Sequence, residues 1–335
     1  MTHNKTNLKE IKSSLTKKAT AFTVIAVLFV SVFAGNLMTI QASADNGTNT
    51  GASPAANSKQ ADRQTLRQTL EQDQTTYRHA VQSANLAYHQ AVQTAQLAHK
   101  QAVQDANSAY NTAVQDARQA YNTAVKGAKN NPAIVGPAMA TRDSAIATAQ
   151  TTRVNAVVTA DATYSKAVND AWSAQETLVY GALATKDGND GTAQSTFYTA
   201  IGNATLATRA TTIGKAHVTK DNTILKARSD RISAVETADA AKINAVGAAQ
   251  TGFISSEIAL KTTLDNGYTS NGKTWNAAIQ TYWGAVAPLE QTRDTSIATA
   301  NANQVTAEGS ADGARDQAID SAHAAMYGTI SGAYS

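Results

Sequence analysis

The chain has 335 residues, 42% of them hydrophobic, yet aromatic residues make up only 6%, Pro numbers 4 and Cys is absent. Alanine is about one residue in five, so nearly half of the apolar residues carry only a single methyl group. Burial free energy scales with apolar area at about 25 cal/mol per Å². That composition disfavours a thick globular core with a deep pocket and favours long, closely packed helices, since Ala is the strongest helix former.

Residues 1–20 are polar and basic, with Lys5, Lys9, Lys12, Lys17 and Lys18. An apolar stretch runs from Ala21 to Gly35, and a polar step ends at Ala42-Ser43-Ala44. This order predicts a signal peptide over 1–44, cleaved before Asp45. An uncleaved anchor is the alternative, and the stretch is marginal for the roughly 20 residues a spanning helix needs. Cleavage removes five Lys and Glu10, turning a formal net charge of +3 into −1. No global basic field then remains to attract nucleic acid or an anionic membrane. No integral membrane span is expected after cleavage. An exported chain without Cys has no disulfide staples, so stability must come from helix packing.

Residues 45–60 are rich in Gly, Asn, Ser and Thr, and read as a flexible spacer. The first repeat helix is then expected over 61–131. Aligned in elevens from Tyr77, the chain reads YRHAVQSANLA, YHQAVQTAQLA, HKQAVQDANSA, YNTAVQDARQA and YNTAVKGAKNN. Position one holds Tyr77, Tyr88, His99, Tyr110 and Tyr121. Position four begins with Ala80, position five runs Val81, Val92, Val103, Val114 and Val125, and position eight begins with Ala84. Three helical turns take about 10.8 residues, so an eleven-residue (hendecad) period is about 3.67 residues per turn. Positions 11, 4, 8, 1 and 5 then share an arc about 130° wide that stays on one face without a left-handed supercoil. These columns are the candidate packing seam.

The same eleven returns from Arg142 through Arg153 and Tyr164, from Arg209 through Lys220, Arg231 and Lys242, and from Arg293 through Gln304 and Arg315. The fragments RDSAIATAQ, RDTSIATAN and RDQAIDSAH are related. Turn chemistry predicts breaks near 130–137, with two Pro, and near 186–191 (KDGNDG) and 265–273 (DNGYTSNGK). The expected fold is all-α: a first hendecad helix and, over 132–335, three further arms packed with it. Short connections favour antiparallel neighbours in an elongated coiled coil or bundle. Pro288 is expected to kink or interrupt the last arm.

Position one is aromatic in the first arm and mostly Arg or Lys in the others. The simpler reading has these cations flanking the seam and pointing to water. The alternative stacks them on the Tyr rings, at about 0.5–2 kcal/mol each.

Little in the chain carries chemistry. His79, His89 and His99 are ten apart, which rotates them around a helix, and no His pair stands at i, i+4, so no helical metal site is expected. His99 occupies the Tyr column as a seam residue. There is no thiol, no Gly-x-Ser-x-Gly elbow and no phosphate-binding Gly loop. Asp187-Gly188-Asn189-Asp190-Gly191 lacks the carboxylate a calcium loop needs at its twelfth position, where Tyr198 stands. No catalytic residue, cofactor, metal or small-molecule substrate is expected. Trp275, Tyr282 and Trp283, with Phe253 and Tyr268, read as an apolar plug closing the bundle end, or alternatively as an interface with another subunit.

An exported structural subunit, such as a surface stalk, envelope layer or fibre, fits these features. Self-association through helical seams is the expected partnership, since narrow Ala/Val seams seldom satisfy a lone helix. Two alternatives carry a resemblance. Ala-rich helices with Thr recurring every eleven residues resemble type I helical antifreeze proteins, but here the columns Thr112/Thr123, Thr148/Thr159 and Thr299 are short and break at Gln101 and Asp170. Eleven-residue repeats also resemble those of exchangeable apolipoproteins and desiccation-protective proteins. An Ala-dominated arc, however, has little drive into lipid.

Overall fold

The computed structural model describes residues 54–269 and 271–335. The expected signal peptide over 1–44 lies outside the described residues, as does the spacer up to residue 53. Four long helices follow one another: α1 (Pro54–Ala124), α2 (Pro132–Ala200), α3 (Ala204–Asn266) and α4 (Gly272–Tyr334). No strand occurs among the described residues. At 1.5 Å per residue, the 71 residues of α1 extend about 105 Å. Helix α1 packs against α2, α2 against α3, and α3 against α4. The two outer helices have no second extensive neighbour within the chain.

Asparagine opens each helix after the first. The Asn131 side chain accepts a hydrogen bond from the Ala133 N–H, with Pro132 supplying the fixed φ that suits a first turn. Asn203 accepts from the Leu206 N–H and Asn271 from the Lys273 N–H, each satisfying a donor the helix itself leaves orphaned. The turn between α2 and α3 takes three residues and uses Gly202 at φ +79°, a conformation costly for any residue with a Cβ.

Three expectations are corrected. The turn-like stretch Lys186–Gly191 does not break the chain: it lies within α2, and the break falls at 201–203. Its glycines are used for packing. A Cβ on Gly191 would stand 2.7 Å from the Gly214 Cα, so α2 and α3 approach there as only Gly against Gly allows. Tertiary contact thus overrides the local turn preference. Pro288 does not interrupt α4, which runs through it. Residues 54–60, expected in the flexible spacer, belong to α1.

Candidate functional site

The candidate seam residues lie in one continuous helix, except Val125, which follows its last residue. Ala84 is 1% exposed. Ala80, Val81, Val92, Val103, Val114 and Val125 are half-buried, as are Tyr77, Tyr88, Tyr110 and Tyr121. Facing them is α2. The Arg142 guanidinium lies 4.7 Å from the Tyr121 ring centroid, and Arg153 lies 5.2 Å from Tyr110. His99 follows, with its ring 5.3 Å from that of Tyr164 and its Nε2 2.6 Å from Asp161 Oδ1. Gln175 then donates to Asn85 at 2.7 Å, and Asn189 to Asp73 at 3.2 Å. As numbers fall along α1, partner numbers rise along α2. At Tyr110 and Tyr121 the expectation that the cations turn to water is therefore wrong; they stack. A methyl seam leaves the broad Tyr faces open, and the flat guanidinium covers them while its N–H groups reach Asp143 from Arg142 and Asn107 from Arg153.

Beside the close Gly191–Gly214 approach and buried apolar residues such as Val154 and Ile224, the region where α2 meets α3 holds partly buried ionic groups, some paired across the helices and some within one helix. Arg228 reaches Glu176 at 2.9 Å and lies over the Tyr180 ring at 5.0 Å, while Trp172 donates its indole N–H to the same carboxylate at 3.1 Å. Burial pushes the Tyr180 hydroxyl up to about 12. Near the α2–α3 turn Lys186 pairs with Asp190 at 2.6 Å, His217 Nδ1 lies 3.6 Å from Asp187, and Lys220 lies 2.9 Å from the fully buried Asp221. Burial pushes the Asp221 carboxyl up to about 6, against the pull of Lys220, and the Asp187 charge adds to the rise. Burial likewise pushes His217 below its ordinary value. Tyr77 of α1 senses the same charges, its hydroxyl raised first by burial and then by Asp187 and Asp221. Toward the other end Lys261 bridges Asp143 at 3.0 Å and Asp265 at 2.6 Å. Burial raises both acids. In Asp143 the hydrogen bonds from Arg142 and Lys261 outweigh it and leave the group lowered; in Asp265 burial wins and the group is raised.

Sequence reasoning missed these layers. The available signal was the recurring basic–Asp pair: Arg142-Asp143, Lys186-Asp187, Lys220-Asp221, Arg293-Asp294 and Arg315-Asp316. The first three sit in the helix interface, with their acids at 13%, 16% and 1% side-chain exposure, whereas Asp294 and Asp316 stand at 63%.

The aromatic group does not form one plug. Tyr282 is buried and donates its hydroxyl to Glu257 at 3.1 Å. Tyr268 meets Trp275 edge-on at 5.1 Å, and Phe253 is covered by Arg293 at 4.6 Å. Trp283 points outward, 59% exposed. The threonines of the short columns spend their hydroxyls on their own helix: Thr112, Thr123, Thr148, Thr159 and Thr299 each donate to the carbonyl four residues earlier.

Among the described residues no set of three His, Asp or Glu side chains is arranged to hold a metal ion, and no helix is long and apolar enough to cross a membrane. A concavity of about 330 Å³ between α3 and α4 is lined by Thr212, Thr219, Lys220 and Met326. No protein-family model, curated protein or solved structure matches this chain.

Proposed function

We propose that this chain is an exported structural protein, a stalk, envelope-layer or fibre subunit built from four antiparallel hendecad helices. The observation that carries the reading is the pairing of position-one residues across helices. Tyr121 meets Arg142, Tyr110 meets Arg153, and His99 meets Tyr164, each step moving eleven residues along both helices. Such spacing stacks equivalent contacts about 16.5 Å apart and holds long helices in one register without a globular core. The ion pairs that cross between α2 and α3, Arg228 with Glu176 and Lys261 with Asp143, support the same reading. They add little net stability, but a helix slipped along its neighbour would strand them.

The test is fractionation of producing cells and sequencing of the N-terminus of the external chain, with electron microscopy of the cell surface. The expected result is a chain beginning at Asp45, outside the membrane, decorating the surface or forming assemblies. Retention of the chain inside the cell overturns the reading. So does flotation of the purified chain with anionic phospholipid vesicles, or thermal hysteresis in its solutions.

A further inference from the structure

The two outer helices carry matching faces. On α1, Arg67, Arg78 and Lys100 lie on one line of eleven-residue steps, with His89 between; all are exposed, and the three cations form no ion pair with another described residue. Beside that line Leu86 and Leu97, themselves eleven apart, are 60% and 68% exposed. On α4 the corresponding line reads Trp283, Asp294, Val305, Asp316, Tyr327. Its apolar members are 59%, 68% and 63% exposed. Asp294 and Asp316 are each engaged through Oδ1 by the neighbouring Arg. Next to this line come small exposed residues, among them Ala298 and Gly309, and nothing lies within 4 Å of where a Gly309 Cβ would be.

Charge alternates from helix to helix. By formal count α1 is +1, α2 −2, α3 +2 and α4 −3. Each helix therefore packs on one of opposite sign, and the outer helices are themselves of opposite sign. Laid against each other in opposite directions, α1 and α4 have one register that satisfies both lines. Arg78 meets Asp316, Lys100 meets Asp294, and Arg67 meets the Tyr327 ring, repeating the Arg–Tyr stack found within the chain. In that register Leu86 falls at Gly309 and Leu97 at Ala298, so each exposed leucine faces a position with no bulk. Side-by-side contact over the 63 residues of α4 is about 95 Å long.

We propose that the outer face of α4 docks onto the outer face of α1 of a second copy of this chain, a head-to-tail contact through which copies add side by side into an open array. This rests on the reading of the chain as a structural subunit.

The test uses the full chain, mixed one to one in ¹⁴N and ¹⁵N forms, with sedimentation velocity over a range of concentration and salt and zero-length carbodiimide cross-linking. Expected are species that grow beyond the dimer with concentration and shrink with salt, and an isotopically mixed cross-link between Lys100 and Asp294. Lys100→Glu is expected to weaken association about fivefold or more, a loss of about 1 kcal/mol per contact. Lys100→Glu combined with Asp294→Lys is expected to restore it. A chain that stays monomeric while fully helical by circular dichroism overturns the proposal. So do mixed cross-links confined to α1–α1 or α4–α4 pairs, or a Lys100→Glu variant that associates as the parent does. None of these results touches the structural reading, which the location of the chain tests separately.

Discussion

The guanidinium of Arg153 lies over the Tyr110 ring at 5.2 Å, and its Nη1 also donates to Asn107 at 3.3 Å, so one side chain of α2 grips α1 at two points three residues apart. A double-mutant cycle with Tyr110→Leu and Arg153→Met is expected to give a coupling of about 0.5–1 kcal/mol by chemical denaturation. Methionine keeps the apolar stem that lies along the seam, so the cycle reports the stacked cation and not lost packing. A coupling of zero would mean that the ring and the cation are merely neighbours.

The approach of α2 to α3 at Gly191 and Gly214 makes a second prediction. A methyl at Gly191 would stand 2.7 Å from the Gly214 Cα, and one at Gly214 would stand 2.9 Å from the Gly191 Cα. Backbone cannot yield as a flexible side chain does, so Gly191→Ala is expected to destabilise the chain by about 1–3 kcal/mol. Gly181, ten residues earlier in α2, has nothing within 4 Å of its Cβ direction. Gly181→Ala is expected to stabilise by about 0.5–1 kcal/mol, because it removes backbone freedom from the unfolded chain. Thermal melts of the two variants should move in opposite directions.

These glycines also show how far the sequence could be read. Asn131-Pro132, and the Asn and Gly around 266–272, mark places where local chemistry alone ends one helix and starts the next, and turns lie there at 125–131 and 267–271; Pro137, expected within the first break, lies inside α2. Lys186–Gly191 carries equally strong local signals but serves a neighbour 23 residues away in sequence, a contact no local pattern reveals. The true turn at Ile201-Gly202-Asn203 left a fainter trace. The eleven-residue register runs on from Tyr164 through Gln175 and Lys186 to Phe197, then slips by one residue before Arg209. A slip in phase, more than a cluster of turn residues, marks where such a helix ends. The ionic layers were unreadable for a different reason. Whether an Arg-Asp or Lys-Asp pair is buried depends on which helices flank it: inner α2 and α3 bury theirs, while outer α4 leaves Asp294 and Asp316 in water.

Pro288 makes a third prediction. It lacks the N–H that would reach the Gly284 carbonyl, and interior Pro typically costs a helix about 3 kcal/mol. Helix α4 continues through it, held by neighbours such as Val286, 2% exposed, and Tyr282, 7% exposed. Pro288→Ala is expected to raise the melting temperature by several degrees and to slow amide exchange across 282–292. An unchanged or lower melting temperature would show that the ring itself is needed for packing.

The buried acid Asp221 gives the last prediction, and its sign is opposite to that of an ordinary salt-bridged carboxylate. Its folded pKa is raised to about 6, so between pH 4 and 6 the folded state holds a proton that the unfolded state has released. Stability from this group is therefore greatest at low pH and falls as pH rises through about 6. His217, lowered by burial, works the other way, removing stability as pH falls below its unfolded value. The two must be separated by mutation. Asp221→Asn cannot ionise, so its stability relative to the parent should rise from pH 4.5 to pH 8, by on the order of 1–3 kcal/mol, whatever constant cost follows from removing one of the anions beside Lys220. Tyr77 and Asp73 on α1, Lys186, Asp187 and Asp190 on α2, and His217 and Lys220 on α3 are common to both proteins and largely cancel in that difference. Chemical denaturation of the pair at four pH values measures it. A difference that stays flat with pH would mean that Asp221 is ionised throughout and that Lys220 outweighs the burial around it.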